Sequence, residues 1–465
     1  MPPPTPTQTT DPTALFDAKS CQTCHPSAYA EWAGSMHAYA SDDPVFVAMN
    51  KRGQRETKGA LGDFCVRCHA PLAVKEGKTH DGLNLAEVPA PYRGVSCYFC
   101  HSVESVNGAH DNPLNLTRDA VLLGPITDPV ANTFHNSKYS PYVDSGRTEA
   151  ASACGSCHDI VNPKGAAIER TFSEWQGTIF AKPEGGLGCA ACHMPSRDDV
   201  AAAGLTVKRT VHDHRMAGLD VATTPFPDLD GQRNAINEQL GTSLQATLCL
   251  DEGQNRVQVL LDNVGAGHMF PSGASSDRRV WVEVKAYAKG ALIYQSGVVP
   301  EGGSLADLDD PDLWLIRDCF FNEANQEVHM FWDAARATSN TIPATLKPQP
   351  LGVPVKLGHM RWDLPVPSSG RSLPMAPDRI VMRVLAKPVG DDVIRDLVKS
   401  GDLDPAVAAK IPTFEVPNSM VEWTPDKINF QYQERGTSSV CVAPIGFRMG
   451  TLPTISQNHC DPQQK

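Results

Sequence analysis

The sequence predicts an α+β multidomain chain, with a mostly helical and loop-built N-terminal domain packed on prosthetic groups and a β-sandwich behind it. Three observations predict it. The motif C-x-x-C-H occurs five times, at Cys21–His25, Cys65–His69, Cys97–His101, Cys154–His158 and Cys189–His193, and nowhere later. From about Gly241 the texture turns β-rich, with partly alternating apolar positions. Between these halves, Pro225, Pro227 and Gly231 mark a connection.

The motifs take ten of the 14 cysteines. Two thiols two residues apart reach the two vinyl groups of one porphyrin, and the next histidine then stands under the iron, which is the attachment signature of c-type haem. A thioredoxin-like site needs one C-x-x-C and no histidine. Structural zinc sites pair C-x-x-C knuckles without a strict C-H ending, and plain disulfides have no use for the histidine. The expected cofactors are five covalent haems c with their iron. Cys21, Cys24, Cys65, Cys68, Cys97, Cys100, Cys154, Cys157, Cys189 and Cys192 form the thioethers, and His25, His69, His101, His158 and His193 are the proximal ligands.

Taken in order, residues 1–19 read as a flexible Pro/Thr-rich tether, 20–220 as the pentahaem cytochrome domain, 221–240 as a linker, and 241–465 as the sandwich. Porphyrin faces replace apolar side chains as packing material, so short helices and long loops with little sheet are expected in the haem half. Helical pieces show around Ser27–Met49 and Glu169–Phe180, and they share a run, "EWAGSMHA" and "EWQGTIFA", in which Phe180 stands where His37 does. In the second half, "LQATLCL", "RVQVLLDNV", "RRVWVEVKAYA", "ALIYQSGVV" and "DRIVMRVLAKPV" alternate with Gly, Pro, Asn and Asp, which reads as antiparallel and immunoglobulin-like. A short helical insertion is expected near 391–411. Of the remaining Cys249, Cys319, Cys441 and Cys460, the expected pair is Cys441–Cys460, a clip on the tail.

A chain of 465 residues, 41% hydrophobic and 20% charged, is an ordinary globular composition. It has no apolar run of spanning length, so no transmembrane segment is expected. A formal charge of −12 argues against nucleic-acid partners. Haem is attached to thiols outside the bacterial cytoplasm, so a periplasmic, extracellular or cell-surface location is expected. The N-terminus shows no signal-peptide pattern, which reads as a mature or trimmed form and leaves room for a membrane tether through the removed N-terminus.

Five irons with two axial positions need further ligands, and His37, His110, His135, His212 and His214 lie beside the motifs. Their supply favours bis-histidine ligation, which lowers the potential relative to Met/His and leaves no open site. Small neighbours Ser35, Ala38 and Ala40 let a porphyrin approach His37. His212 and His214, two apart, face opposite sides of an extended chain and so serve different haems. His80 and His110 sit in turn-like contexts. His268, in "NVGAGHMFPSG", lies on a glycine-rich loop of the β half that either caps a haem or only turns the chain. His329, His359 and His459 read as structural or surface residues.

On these residues the chain resembles a multihaem c-type cytochrome of the cytochrome c-554-like superfamily. The five motifs carry the likeness, with "CVRCHAPLA", "GVSCYFCH", "SACGSCHDI" and its following "TFSEW", and "CHMP". "GHMFPSG" followed by "RRVWVEV" resembles the β-domain appended to many such cytochromes of respiratory bacteria. The likeness covers most of residues 20 to 290, although the tetrahaem archetype has one motif fewer. It implies that His37, His135, His214 and His268 are distal ligands. It also implies electron transfer across the periplasm or at the cell surface, while some multihaem relatives are reductases or hydroxylamine oxidoreductases.

The expected function is an electron carrier, a multihaem wire in anaerobic or respiratory electron transport. Its partners would be other cytochromes or quinol-linked membrane complexes, and a homo-oligomer is compatible with the sequence. The alternative is an oxidoreductase of the nitrite, hydroxylamine or sulfur-oxyanion type with one open iron. Arg93, Tyr92, Tyr98 and His80 are the candidate distal groups for it. No C-x-x-C-K motif marks such a haem, which favours the carrier. A third reading is a surface-binding module built on the sandwich.

Overall fold

A computed structural model describes residues 11–129, 134–182, 185–346, 358–434, 436–447 and 454–455. The first ten residues of the expected tether, His459 and Cys460 lie outside the described residues. The chain divides into two compact units, one of Met1–Gln176, Phe180–Gln239 and Leu397–Lys410, the other of Gly177–Ile179, Leu240–Asp396 and Ile411–Lys465.

The first unit is a series of short helices: α1 (Lys19–Gln22), α2 (Pro26–Ala33), α3 (Met36–Tyr39), α4 (Pro44–Glu56), α5 (Val66–His69), α6 (Pro71–Lys75), α7 (Cys97–Cys100), α8 (Ala150–Gly155), α9 (Thr171–Gln176) and α10 (Cys189–His193). The helical stretch expected at Ser27–Met49 is broken into three by its own caps. Gly34 closes α2, the Ser35 hydroxyl accepts from Ala38 N–H to open α3, and Asp43 with Pro44 opens α4 by accepting from Val45 N–H. Each motif falls on one helical turn. His25, His69, His101 and His158 donate their amides to the carbonyls of Cys21, Cys65, Cys97 and Cys154, closing i→i−4 bonds. Cysteines three apart and the histidine after them therefore share a face.

Sheet is more frequent in this unit than the loop-rich expectation. β1 (Val103–Val106) pairs with β2 (Leu114–Leu116), β3 (Val121–Gly124) with β4 (Asn136–Tyr139), β5 (Ile160–Val161) with β6 (Ala167–Glu169), and β7 (Ser196–Val200) with β8 (Lys208–His212). All are two-stranded ribbons, and β3–β4 alone among them is parallel. They pair the backbone of segments leaving the motifs, whose polar groups need partners. The apolar interior is divided into small clusters. One gathers Leu15, Phe16, Leu72, Tyr98, Phe99, Val103 and Leu114, another Phe46, Val66, Ala70, Ala73, Leu85 and Val88, and a third Ala151, Phe172 and Trp175.

The expected connection at 221–240 runs into α11 (Leu229–Ser243). Asp228 caps it, accepting from Gly231 N–H at 3.1 Å, so the prolines upstream lead into a helix start.

The second unit is built on two large sheets. In one, β9 (Leu244–Asp251) and β10 (Arg256–Asn263) form the centre, with β17 (His359–Leu364) beside β10; in the other, β11 (Arg279–Ala288) lies between β12 (Ala291–Ser296) and β18 (Arg379–Lys387). Nearly every residue of β9 and β10 is buried, so both faces are covered. Short strands complete the set: β13 (Leu315–Ile316) and β20 (Val421–Trp423) on the second sheet, and β21 (Phe430–Glu434) and β22 (Thr437–Val442) on the first. Three tryptophans tie the sheets together. Trp362 of β17 stacks on Trp314 beside β13, with centroids 5.8 Å apart, and Trp423 of β20 donates to Val440 O of β22 at 2.9 Å. The expected insertion is helical, α12 (Asp391–Lys399) and α13 (Pro405–Ala408).

The disulfide expectation is corrected. Cys441 is bonded to Cys249, not to Cys460. β22 runs antiparallel to β9 with these two residues directly opposite, so sheet register overrides nearness in sequence. Cys319 is also disulfide-bonded.

Candidate haem sites

Within the first unit three pairs of histidine rings face each other. His25 and His135 have centroids 6.4 Å apart, His37 and His158 6.2 Å, and His101 and His214 6.4 Å. Each pair joins the histidine of a motif to one outside the motifs. The separation has a simple meaning. A metal–imidazole bond of about 2 Å on either side puts two ring centres about 6 Å apart, so the space between each pair fits one iron. Among the described residues no three His, Cys, Asp or Glu side chains gather as they would round a bare metal ion. Two axial nitrogens suffice where a porphyrin supplies the rest.

The second ring nitrogen is committed elsewhere. Nδ1 of His25 lies 2.7 Å from Ala201 O, that of His69 3.1 Å from Ala40 O, that of His101 2.7 Å from Leu123 O and that of His193 2.8 Å from Ala217 O. A carbonyl only accepts, so these nitrogens carry the proton and Nε2 keeps its lone pair for a metal. Nδ1 of His37 lies 3.0 Å from Met216 Sδ. Burial drives the pKa of His37 and of His101 down to about 4, with neighbouring histidines adding to the effect at His37. Both rings are neutral at pH 7, the form that ligates iron. His69 is further held by Phe46, stacked at 3.9 Å and 3°.

Thiols from different motifs also meet. Cys21 and Cys97 are in hydrogen-bond contact, as are Cys154 and Cys189, and Cys68 and Cys157. The Cys97 contact lowers the Cys21 thiol to about 7 and raises that of Cys97, whereas burial takes Cys65 up to about 12 against the opposing charge of Arg67. Cys100 lies within electrostatic reach of Cys154 and Cys157.

The other candidates meet the following groups. Nδ1 of His212 faces Met194 O and its Nε2 faces the Ser145 hydroxyl, each at 2.8 Å. His212 closes β8 and His214 lies beyond it, and the two meet different partners. His110 and His80 are exposed, and His110 precedes a turn with Asp111 and Asn112 at positive φ. His268 lies in the second unit on the loop after β10, its Nδ1 2.7 Å from Met269 O. His329 faces Asp396 and His359 pairs with Asp262 in the β unit. The groups named for an open-iron pocket serve the scaffold. Arg93 donates to Val88 O and Ala86 O, Tyr98 to Thr117 O, and the Tyr92 ring packs edge-on against Phe16.

Residues the sequence did not single out stand behind the ligands: Ala40, Leu123, Ala201 and Ala217 by their carbonyls, Met216 by its sulfur, and Glu31, whose carboxylate accepts from the His214 amide at 3.1 Å. Backbone acceptors leave no trace in residue type. Glu31 carries a weak signal, since it belongs to the repeated "EW" run.

Residues 20–102, which hold the first three motifs, match the family model for cytochrome c554 and c-prime. Over this stretch the chain resembles a multihaem c-type cytochrome. The chain is similar in fold to a penta-haem cytochrome c552 from Thermochromatium tepidum, with a TM-score of 0.56, 18% identity, and coverage of 88% of this chain and 98% of that one. At this identity the likeness is one of fold. A comparison with curated proteins finds no match. No helix among the described residues is long and apolar enough to cross a membrane.

Proposed function

We propose that the chain is a periplasmic or cell-surface carrier with five covalent haems c, one per C-x-x-C-H motif, that passes electrons between redox partner proteins in respiratory electron transport. The observation that carries this reading is the set of three histidine pairs at 6.2–6.4 Å. In it, His135, His37 and His214 are the distal ligands at the first, fourth and third motifs. Bis-histidine ligation keeps an iron low-spin, closed to substrate and at low potential, which suits relay rather than turnover. The fold likeness to a penta-haem cytochrome supports the count of five.

The thiol contacts support an order. They link the first motif to the third and the fourth to both the second and the fifth, and Cys100 brings the third beside the fourth. The fourth haem is then a branch point rather than a link in a line. Haem supplies the one-electron chemistry, and the chain supplies spacing, ligation and a buried surround.

Mass spectrometry of native protein tests the count, with five added haems expected. Ferric spectra test the ligation. Replacing His37, His135 or His214 by Ala should each convert one haem from low-spin to high-spin, and an unchanged spectrum for all three would reject the assignment.

A further inference from the structure

The ligand histidines do not all back onto the same kind of group. His25, His69, His101 and His193 face backbone carbonyls, and His37 faces a thioether. His214 differs. Its Nδ1 is buried without a hydrogen-bond partner in strict geometry, and the Glu31 carboxylate stands 3.7 Å from it. That carboxylate is held in place. Its Oε2 accepts from the His214 amide at 3.1 Å, Arg197 Nη2 lies 2.8 Å from Oε1, and the Glu31 side chain is 11% exposed. Arg197 thus sits on the oxygen away from the amide contact. α2, which carries Glu31, begins immediately after His25, so one short helix joins the first haem motif to the back of a ligand assigned to the third.

We propose that Glu31 tunes the third haem through His214. This rests on the reading of His214 as that iron's distal ligand. A negative charge behind Nδ1–H draws the proton toward it and makes Nε2 a stronger donor, which stabilises ferric over ferrous iron. The third haem is therefore held lower in potential than it would be behind a neutral acceptor. Glu169 offers an internal comparison. It lies 4.0 Å from His158 Nδ1, but that ring is 52% exposed against 26% for His214, so its field is more screened.

The test is potentiometric titration of the intact holoprotein with EPR of each low-spin signal. Glu31→Gln should raise one midpoint and shift that haem's g values while the others stay. Glu31→Asp, which keeps the charge, should shift it less, and Arg197→Gln, which frees the carboxylate, should shift it downward. Glu169→Gln should give a smaller change at a different haem. No shift in Glu31→Gln, an equal shift of every haem, or a Glu31→Asp effect as large as that of Glu31→Gln would overturn the proposal. His214→Ala separates the two levels. If it leaves every haem low-spin, the ligand assignment fails and this inference with it. If it makes one haem high-spin while Glu31→Gln moves nothing, only the role of Glu31 fails.

Discussion

Trp32 donates its indole N–H to Val95 O at 2.8 Å, two residues ahead of Cys97, and Trp175 donates to Leu187 O at 2.9 Å, two residues ahead of Cys189. The main chain repeats the relation. Val95 N–H bonds His37 O at 2.8 Å, and Leu187 N–H bonds Phe180 O at 2.9 Å. The thiols repeat it again, Cys21 with Cys97 and Cys154 with Cys189. The two "EW" segments therefore build one device twice, in which a helix following one motif pins the segment that leads into another. What differs is the side chain at the shared position. His37 faces His158 across an iron's width, whereas Phe180 packs against Ala151, Phe172 and Trp175. Backbone bonds and an indole hold the frame, so the ring at that position is free to be a ligand in one copy and core in the other.

Making the first copy resemble the second is the severest test. His37→Phe should leave the fourth haem without a distal ligand and give one high-spin haem by EPR, with all five haems still attached. Away from both copies, replacing Cys249 and Cys441 together by Ser should lower the stability of the β unit by about 2–5 kcal/mol, read by calorimetry, with no haem spectrum changed. The comparison then runs the other way. Phe180→His puts a polar ring into an apolar cluster and should cost roughly 1–3 kcal/mol without producing a new low-spin signal. Trp32→Phe and Trp175→Phe each remove one indole hydrogen bond and should cost about 1–3 kcal/mol by denaturant titration, with similar values if the copies are equivalent. The smallest effect is in pH. Burial takes the free His37 ring down to a pKa of about 4 against the ordinary 6.5, and binding to iron would also keep it unprotonated, so below about 6.5 the unfolded chain binds more protons. Stability should fall as pH drops below about 6.5. His37→Phe should flatten that slope, whereas Phe180→His at its half-exposed site should steepen it less than His37 does.

Much of this was legible in the residues. The five motifs state their chemistry by spacing alone, the "EW" runs betray the repeat, and the alternating strands announce the β half. His37, His135 and His214 were named on their neighbours and on family resemblance, and each faces a motif histidine. His212 was named as readily, yet both its nitrogens meet protein groups, because sequence shows that two histidines diverge but not what each meets. The disulfide failed for a related reason. Proximity in the chain favoured Cys460, whereas the register of β22 on β9 put Cys249 opposite Cys441.

By itself the sequence determined where the five attachment motifs lie, since that pattern is local and needs only a few consecutive residues on one helical turn. It also determined where helix-and-loop texture yields to sheet, because hydrophobic period is local too. Only the tertiary structure decided which histidine faces which, which thiols lie side by side, and that Glu31 stands behind His214. Those relations join residues tens to hundreds of positions apart, and they depend on backbone hydrogen bonds that any residue type makes.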